Sequence, residues 1–263
     1  MTKRGVIRKN TDAVRSVEQK LSAVLHSQIA EMALIAKKDI SPAEATELFS
    51  ECFDKPCLSA EMLLFSAEIC RSVPTAKETR DTCAVACMKN PLTLRALTQL
   101  TQSIPTVHLR EQSDFRASCE AVQSDTADYC ILPVCSSHDG YYPTFSKLLR
   151  SYELKICRQT RVSKGDSDEE IQFALLAKKT EPSPEKKTVM FSFAEEDRST
   201  LPCLLGAMHL CNMEIIGVNS SPLEYNMDRL YHIIEVNAAD ISTDALFFFL
   251  EAALPSHTVL GIY

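Results

Sequence analysis

The first part of the chain carries apolar residues at helical spacing. Between residues 12 and 38 they recur at steps of three and four positions, which places them on one face of a long amphipathic helix. Ser41 followed by Pro42 predicts a second helix, since serine caps helix N-termini and proline fits the first turn. Ser59 opens a third helix in the same way. Residues 1–75 are therefore predicted to form a three-helix unit.

Short apolar runs then alternate with helical patterns through residues 76–180. The run 83–87 is typical of a buried strand, and helical patterns follow Asn90 and Asp114, two residue types that cap helices. Strands that alternate with helices predict an α/β lobe with a largely parallel sheet. The other predicted elements of this lobe are strands at 105–109, 128–134, 154–157 and 171–177, a loop at 135–140 and a helix at 143–152.

A proline-rich segment, residues 181–187, indicates a linker before the last part of the chain. Residues 188–263 then show the order strand, helix, strand, strand, helix, strand, which is the ferredoxin-like pattern. The fold class predicted from the sequence is thus a multi-domain mixture of α+β and α/β units: a helical module, one α/β lobe and a βαββαβ domain.

The composition is that of a soluble folded protein. The hydrophobic fraction is 45% and the charged fraction 24%, close to ordinary globular usage. No apolar run approaches the roughly 20 residues that span a bilayer, so we expect no membrane segment and a cytoplasmic location. The net charge of −7, with no long cluster of Lys and Arg, argues against nucleic acid or an anionic membrane as the partner.

Candidate chemistry is sparse. The 11 cysteines are odd in number and form no Cys-x-x-Cys pair, so they are interpreted as reduced thiols rather than disulfides or metal ligands. Histidines do not fall at ligand spacing near them, and no metal site is predicted. The sequence has no Gly-rich phosphate loop, Gly-x-Ser-x-Gly or His-Glu-x-x-His motif, and we expect no cofactor.

Three motifs of the last 76 residues occur in the order found in one known family. They are Arg198-Ser199-Thr200-Leu201, Val218-Asn219-Ser220-Ser221-Pro222 and Leu260-Gly261-Ile262-Tyr263. In this order they resemble the ACT domain of prephenate dehydratase. The resemblance implies an aromatic amino acid, phenylalanine foremost, as the ligand. Its binding positions would be Ser199, Thr200, Leu201, Asn219, Ser220, Ser221 and Pro222, with the N-terminus of the helix facing the ligand carboxylate.

The middle region supports the same resemblance. Ala127-Asp128-Tyr129, then Leu132-Pro133-Val134-Cys135-Ser136-Ser137 and Gly140 match a run of the dehydratase lobe. Residues 12–75 resemble the helical chorismate mutase module, and the domain order is that of the bifunctional chorismate mutase/prephenate dehydratase. The resemblance also implies a homodimer formed through the helical and ACT domains.

Most residues that the family uses for catalysis differ here. The family's Thr-Arg-Phe, whose threonine resembles the proton donor for dehydration, aligns with Ile171-Gln172-Phe173. Pro133-Val134-Cys135-Ser136-Ser137 stands where the family has Pro-Ile-Glu-Asn-Ser, so the acid and the amide are lost and the last serine is kept. For Ser136, Ser137 and Asp139 we favour helix capping over ligand binding. The family's second lobe would be inserted before Ile171, but only ten residues, 161–170, are present there.

The mutase-like module departs in a similar way. Rearrangement of chorismate needs cations that hold two carboxylates. Gln28 stands near the position of a family arginine, and Lys37 or Lys38 matches the family's lysine. A solvated helix face is the favoured interpretation of these positions.

Two functions remain open from the sequence. The first is a catalytically degenerate protein of phenylalanine metabolism that acts as an amino-acid-sensing or regulatory ACT protein. The alternative is an active chorismate mutase/prephenate dehydratase whose site is altered or is completed by another chain.

Overall fold

The computed structural model describes residues 24, 27–33, 40–53, 56–70, 81–165, 168–180, 187–195, 197–223, 226–238 and 241–263. The described residues fall into two compact units. The helical unit contains the described residues of Met1–Ser72, Glu195–Ile215 and Ala238–His257. The sheet unit contains those of Val73–Ala194, Ile216–Asn237 and Thr258–Tyr263. The domain boundaries at residues 75, 180 and 187 stay a prediction.

The helical unit contains five helices among its described residues. They are α1 (residue 24 and 27–33), α2 (Pro42–Cys52), α3 (Ala60–Ile69), α7 (Thr200–Leu210) and α8 (Thr243–Ala253). The remainder of the long first helix expected over residues 12–38 lies outside the described residues. Helix α2 begins after the serine that the sequence predicts as its cap, and the structure shows a full capping box there. The hydroxyl of Ser41 accepts the Glu44 N–H, and the Glu44 carboxylate accepts the Ser41 N–H.

The core of the helical unit is aromatic and aliphatic. Phe49 of α2 and Phe65 of α3 are fully buried, with ring centroids 6.3 Å apart. Helix α3 packs against α7 and α8, and α2 packs against α8. The Oγ of Ser242 both accepts the Ala245 N–H and donates to the carbonyl of Cys70, so a single hydroxyl caps α8 and links it to the end of α3.

The sheet unit contains ten strands and three helices among its described residues. The strands are β1 (Thr82–Cys87), β2 (Thr106–Glu111), β3 (Tyr129–Ser136), β4 (Gly140–Tyr141), β5 (Lys155–Ser163), β6 (Glu170–Ala177), β7 (Thr188–Ala194), β8 (Glu214–Leu223), β9 (Asn226–Asn237) and β10 (Thr258–Ile262). The helices are α4 (Pro91–Leu100), α5 (Phe115–Gln123) and α6 (Pro143–Ser151). The strands form one sheet in the order β2-β1-β3-β6-β5-β10-β7-β9-β8, and β4 pairs with β3.

The sheet is mixed rather than largely parallel, which corrects the sequence prediction. Strand β1 runs parallel to β2 and β3, but β3, β6 and β5 are antiparallel to one another in turn. The cause is the short connection between β5 and β6. Parallel neighbours need a crossover of a dozen or more residues, whereas residues 164–169 allow only a direct turn back.

The predicted loop at 135–140 is shorter than expected. Cys135 and Ser136 belong to β3, where they pair with Gln172 and Ile171 of β6, and Gly140 already begins β4. Gly140 has φ of +74°, a conformation in which glycine carries no steric penalty. The turn therefore spans only residues 137–139.

The two faces of the sheet carry separate apolar clusters. On β3, Ile131 and Leu132 are both buried, yet each belongs to a different cluster, because successive side chains of a strand point to opposite faces. The cluster around Leu132 includes residues of α5 and α6, and the cluster around Ile131 includes residues of α4. In the part of the chain that the structure describes, no helix is both long and apolar enough to cross a membrane.

Candidate ligand-binding site

A cavity of about 390 Å³ lies beside β3 and β6, where the first turns of α4, α5 and α6 meet. Small-molecule sites in proteins commonly measure roughly 300–1,000 Å³. The cavity borders both apolar clusters, since Leu132 belongs to one and Phe173 to the other. Its size and position make it the candidate site of the sheet unit.

Two helices start at the cavity with different caps. At α4, the side chain of Asn90 accepts the Thr93 N–H at 2.9 Å, and Pro91 occupies the first turn. At α6, the N-cap residue Tyr142 makes no side-chain hydrogen bond to the helix. The first turn of α6 therefore keeps its partial positive charge without a side-chain acceptor.

The cavity wall is mostly apolar. The larger apolar side chains in it are Leu92, Phe115, Leu132, Phe145, Leu148 and Phe173. Among the described residues that line it, none is Lys, Arg, His, Asp or Glu. The wall thus suits an apolar ligand body and offers no side chain that would neutralise several ligand charges.

Thr93 is a buried polar residue of the wall. It is 1% exposed, and its Oγ1 has no hydrogen-bond partner among the described residues. A buried hydroxyl left in this state costs roughly 1–3 kcal/mol, which a hydrogen bond from a bound molecule would recover. Thr93 lies on α4, in the first turn after Asn90, and a threonine in a predicted helix gives no sequence signal of this role.

Two of the dehydratase-like positions meet at this cavity. Ile171 and Phe173 of β6 both line it. Phe173 was a predicted site residue, and Ile171 stands where the family resemblance calls for a threonine hydroxyl. An isoleucine can neither donate nor accept a proton, so this position supplies no general acid.

Ser136 and Ser137 hold a turn instead of lining the cavity. The Oγ of Ser136 donates to the Glu169 carboxylate at 3.0 Å and accepts the N–H groups of His138 and Asp139 at 3.1 and 3.2 Å. The Oγ of Ser137 accepts the Glu170 N–H at 3.0 Å. Hydrogen bonds from Lys164 and from Ser136 hold the pKa of Glu169 below its ordinary value. Both serines thus stabilise this turn by accepting backbone N–H groups.

Gln172 belongs to a separate polar cluster on the sheet. Its amide accepts a hydrogen bond from the thiol of Cys135 at 3.3 Å and donates to the side chain of Gln159. In the same region, the hydroxyl of Tyr263 donates to the carboxylate of Glu235 at 2.8 Å. Burial raises the pKa of Glu235, and burial together with the Glu235 carboxylate raises the pKa of Tyr263.

Sequence reasoning missed Glu235 and Tyr263 as interacting groups. The alternation of Tyr231, Ile233 and Glu235 along β9 does predict that these side chains share one face. The alternation does not show where β10 lies relative to β9. In the sheet, β7 lies between these two strands. That arrangement follows only from the strand order.

The mutase-like positions are described only in part. Gln28 is exposed on α1, and Lys37 lies outside the described residues. No substrate site can be built on Gln28 alone. The chorismate mutase resemblance therefore stays a prediction.

The ACT-like positions fall in two places. Ser199 is the exposed N-cap residue of α7, makes no side-chain cap hydrogen bond, and donates its N–H to Asp197 at 3.1 Å. Thr200 and Leu201 begin the helix. Asn219, Ser220, Ser221 and Pro222 lie on β8, where the Ser220 hydroxyl is hydrogen-bonded to Nδ1 of His232 at 2.8 Å. Residues 199–201 belong to the helical unit and residues 219–222 to the sheet unit.

All eleven cysteines are free thiols. Cys119 and Cys130 are fully buried, and the hydrogen bond that the Cys130 thiol makes to Cys119, together with burial, raises the pKa of Cys130. Among the described residues, no group of three or more His, Cys, Asp and Glu side chains is placed to hold a metal ion. The six buried thiols, those of Cys83, Cys87, Cys119, Cys130, Cys157 and Cys211, pack as small core residues.

Comparison with known proteins identifies the fold. The sequence matches no family model and no curated protein. The structure resembles prephenate dehydratase from Streptococcus mutans, with a TM-score of 0.58 and 16% identity over 68% of this chain and 97% of that one. It also resembles prephenate dehydratase from Arthrobacter aurescens in complex with L-Phe, with a TM-score of 0.52 and 12% identity over 68% of this chain and 89% of that one.

A third similar structure carries a different description. GqqA, described as a novel type of quorum quenching acylase, has a TM-score of 0.56 and 18% identity over 68% of this chain and 94% of that one. At such identities the likeness shows the fold alone. The chain has a prephenate-dehydratase-like mixed α/β fold.

Proposed function

We propose that this protein is a catalytically inactive relative of prephenate dehydratase that senses an aromatic amino acid. The observation that carries the proposal is the β5–β6 hairpin. Ser163 pairs with Glu170, and residues 164–169 make the whole connection between the two strands. The family resemblance places the second catalytic lobe at this connection, and a single βαβ unit alone needs about 30 residues.

The loss of the second lobe removes the means of closing a site over the substrate. Dehydration of prephenate couples loss of carbon dioxide to departure of a hydroxyl group, which calls for a positioned proton donor in a closed cleft. Ile171 replaces the expected hydroxyl at the cavity wall. Without donor and lobe, this chain lacks two requirements of the family reaction.

The sensing role is supported by the last part of the chain. There the strands run in the order β10-β7-β9-β8, with β10–β7 and β7–β9 antiparallel, which is the strand order of a ferredoxin-like sheet. This order supports an ACT-type domain over residues 188–263. The Arthrobacter aurescens structure was obtained in complex with L-Phe, which favours phenylalanine as the first ligand to test.

The start of α7 is the proposed anchor for the amino acid. Ser199 makes no side-chain cap hydrogen bond, the Thr200 N–H is bonded to the Asp197 carbonyl, and Pro202 has no N–H. The Leu201 N–H is therefore the proposed first-turn donor to a carboxylate. Asn219 and Ser220 on β8 belong to the sheet unit and are not part of this anchor. We further propose that two copies of the chain associate through the helical and ACT-type parts, as the family resemblance implies.

The test is calorimetric titration of the full chain with phenylalanine, with and without Ser199→Asp. Aspartate is also a good N-cap, so α7 should keep its stability, while the new negative charge should repel the ligand carboxylate. We expect saturable binding to the wild type and a loss of about tenfold or more in affinity for the variant.

Ser59→Asp is the matched control, because Ser59 caps α3 through the Met62 N–H and the change adds the same charge at a different helix. This control should bind phenylalanine like the wild type. An absence of binding to all three proteins, or equal binding by Ser199→Asp, would contradict the proposed sensing site.

A further inference from the structure

Four neighbouring strands of the sheet unit carry polar side chains at one level of the sheet. Residues that pair directly across strands point to the same face. The paired positions, in order across β4, β3, β6 and β5, are Tyr141, Cys135, Gln172 and Arg161. Gln172 points away from the apolar cavity, because its neighbours along β6 line that cavity. These four residues are here called the polar row.

Hydrogen bonds around the polar row leave two buried donors over. The thiol of Cys135 donates to Gln172, and the amide of Gln172 donates to Oε1 of Gln159. Nε2 of Gln159 is buried and has no hydrogen-bond partner among the described residues. The buried hydroxyl of Tyr141 has none at hydrogen-bonding geometry in the described chain either. Because an amide N–H can only donate, the missing partner is an acceptor.

The two donors face the same space. The hydroxyl of Tyr263 donates to the carboxylate of Glu235 at 2.8 Å. Burial, Glu235 and Tyr141 raise the pKa of Tyr263, and the amide of Gln159 lowers it in part. Interactions of this kind weaken with distance, so the Tyr263 phenol lies close to both donors. All these residues belong to the sheet unit.

The hydroxyl of Tyr141 sits in a desolvated position. Burial raises the pKa of Tyr141 to about 12, and the nearby hydroxyl of Ser146 opposes this rise in part. The ring of Tyr141 is held in place by an edge-to-face contact with Phe145, at 5.8 Å between centroids. Packing therefore fixes the direction of this donor before a ligand arrives.

Arg161 supplies the positive charge of this region. Burial raises the pKa values of Cys135 and Glu235, and the guanidinium of Arg161 opposes both rises. The guanidinium is thus close to both groups, while its own side chain is exposed. A carboxylate can accept hydrogen bonds from a guanidinium, an amide and a phenol at once. A cation would meet only donors and a like charge at these three groups.

We propose that the polar row is a binding site for a small monocarboxylate, held by Arg161, Gln159 and Tyr141, and that Glu235 takes up a proton when the anion binds. Burial already favours the neutral form of the Glu235 carboxyl, so the second negative charge is removed at low cost. This site is distinct from the sensing site at Ser199 and goes beyond the proposed function.

The first test is calorimetric titration of the full chain with acetate at constant ionic strength. Acetamide, which has the same shape without the charge, and methylammonium, which has the opposite charge, are the matched probes. We expect saturable binding of acetate and at least about tenfold weaker binding of both other probes. Ser199→Asp should leave acetate binding unchanged, since the sensing site lies in the other unit.

The proton uptake predicts a pH dependence. Acetate should bind at least about threefold more tightly at about pH 6 than at about pH 8, because Glu235 is protonated in the complex. Glu235→Gln should bind acetate with an affinity that does not change over this range. The groups opposite Glu235 on β7 and β8, Met190 and Gly217, do not titrate. The charged or titratable groups that face Glu235 from β3, β4, β5 and the end of β10 are Cys135, Tyr141, Arg161 and Tyr263.

Tyr141→Phe locates the anion. It keeps the ring that contacts Phe145 and removes a hydroxyl without a partner, so the free energy of unfolding should not fall. Acetate affinity should nevertheless fall by about fivefold or more. Tyr152→Phe is the matched control, because that hydroxyl donates to Glu120, and this variant should bind acetate like the wild type.

Gln159→Glu tests the second donor. The new carboxylate can still accept from Gln172, but it removes the free N–H and repels an anion, so acetate binding should be lost. Gln99→Glu is the control, since its side chain accepts from Thr160 and the change adds the same charge elsewhere. Tyr141→Phe decides the matter alone if the charge of Gln159→Glu prevents folding.

Each outcome supports or overturns the proposal. No saturable acetate binding up to about 50 mM would overturn it, as would equal affinity for acetamide or equal acetate affinity in wild type and Tyr141→Phe. An acetate affinity that is the same at both pH values would overturn the role of Glu235. Phenylalanine binding that depends on Ser199 and is unchanged in Tyr141→Phe would leave the proposed function standing, so the two proposals can fail separately.

Discussion

Ser163 of β5 and Glu170 of β6 face each other at the turn end of an antiparallel hairpin. Strand β6 then pairs on its other side with β3, down to Ser136 opposite Ile171. Both edges of β6 are therefore occupied close to the turn, and the chain returns directly into the sheet. Residues 164–169 make the whole connection between the two strands.

The packing of β10 against β5 gives a first prediction. A Cβ added at Gly261 would lie 2.5 Å from Cβ and 2.6 Å from the carbonyl oxygen of Ile156, on the neighbouring strand. Gly261→Ala should therefore force the two strands apart and destabilise the protein by about 1–3 kcal/mol or more. Chemical denaturation of the full chain measures this cost.

Gly206→Ala is the matched control for that change. Gly206 lies within α7, and a Cβ there would meet nothing within 4 Å. Alanine should stabilise the helix by about 0.5–1 kcal/mol relative to glycine. A Gly261→Ala variant as stable as the wild type would show that β5 and β10 do not pack as described.

The turn after β3 gives a second prediction. Ser136 is 3% exposed and accepts two backbone N–H groups, those of His138 and Asp139. Ser136→Ala leaves both without this acceptor and should cost about 1–3 kcal/mol of stability while phenylalanine still binds. Ser124→Ala, which removes an exposed hydroxyl bonded to the Glu120 carbonyl, is the control and should cost far less. Loss of ligand binding in Ser136→Ala with unchanged stability would assign this serine to a ligand site.

Local structure was largely predictable from the sequence because local chemistry determines it. Ser41, Ser59, Asn90, Asp114 and Ser242 each cap a helix through a side-chain oxygen, and these residue types prefer that position. The order of strands and helices followed from their apolar patterns. The mixed α/β character and the prephenate-dehydratase-like fold are confirmed by the similar structures.

Long-range arrangement was harder to predict. The antiparallel direction of β6 depends on its partners, β3 and β5, which an apolar run at 171–177 does not reveal. The cavity was not predicted either, since it brings Leu92, Phe115, Phe145 and Phe173 together from four separate elements. The hydroxyl of Thr93 became a candidate only when its surroundings showed no partner.

A third prediction concerns pH. Burial is the main cause that raises the pKa of Glu235, and the guanidinium of Arg161 and the hydroxyl of Tyr263 oppose it in part. A carboxyl group with a raised pKa in the folded state favours folding below its unfolded pKa, and this contribution is lost as pH rises through the folded pKa. Glu235→Gln mimics the protonated form and can still accept the Tyr263 hydroxyl.

Urea denaturation from about pH 4 to about pH 8 measures this effect. Glu235→Gln should gain stability relative to the wild type as pH rises, and the difference should shrink toward the acid end. The control is Glu251→Gln, which removes one charge from an exposed position on α8. A Glu235→Gln variant that loses stability at neutral pH would show that the charged carboxylate is favoured in the folded state.

A fourth prediction concerns the effect of the buried Thr93 hydroxyl on the free energy of unfolding. Because its Oγ1 is buried without a partner among the described residues, Thr93→Val should raise the free energy of unfolding by about 1 kcal/mol in the absence of ligand. Thr101→Val should lower it, since that hydroxyl donates to the Leu97 carbonyl at 2.7 Å. Thermal denaturation of the wild type and of the two variants measures these changes in the free energy of unfolding. Destabilisation by both substitutions would mean that the Thr93 hydroxyl is already satisfied in the free protein.

The most direct test of the central claim is the release of carbon dioxide from prephenate by the purified full chain. The wild type should show no release above the uncatalysed rate, and Ile171→Thr should not restore it, because the hydroxyl returns without the second lobe. Release that saturates with prephenate in the wild type, and falls when the chain is denatured, would contradict the account and make this protein an enzyme.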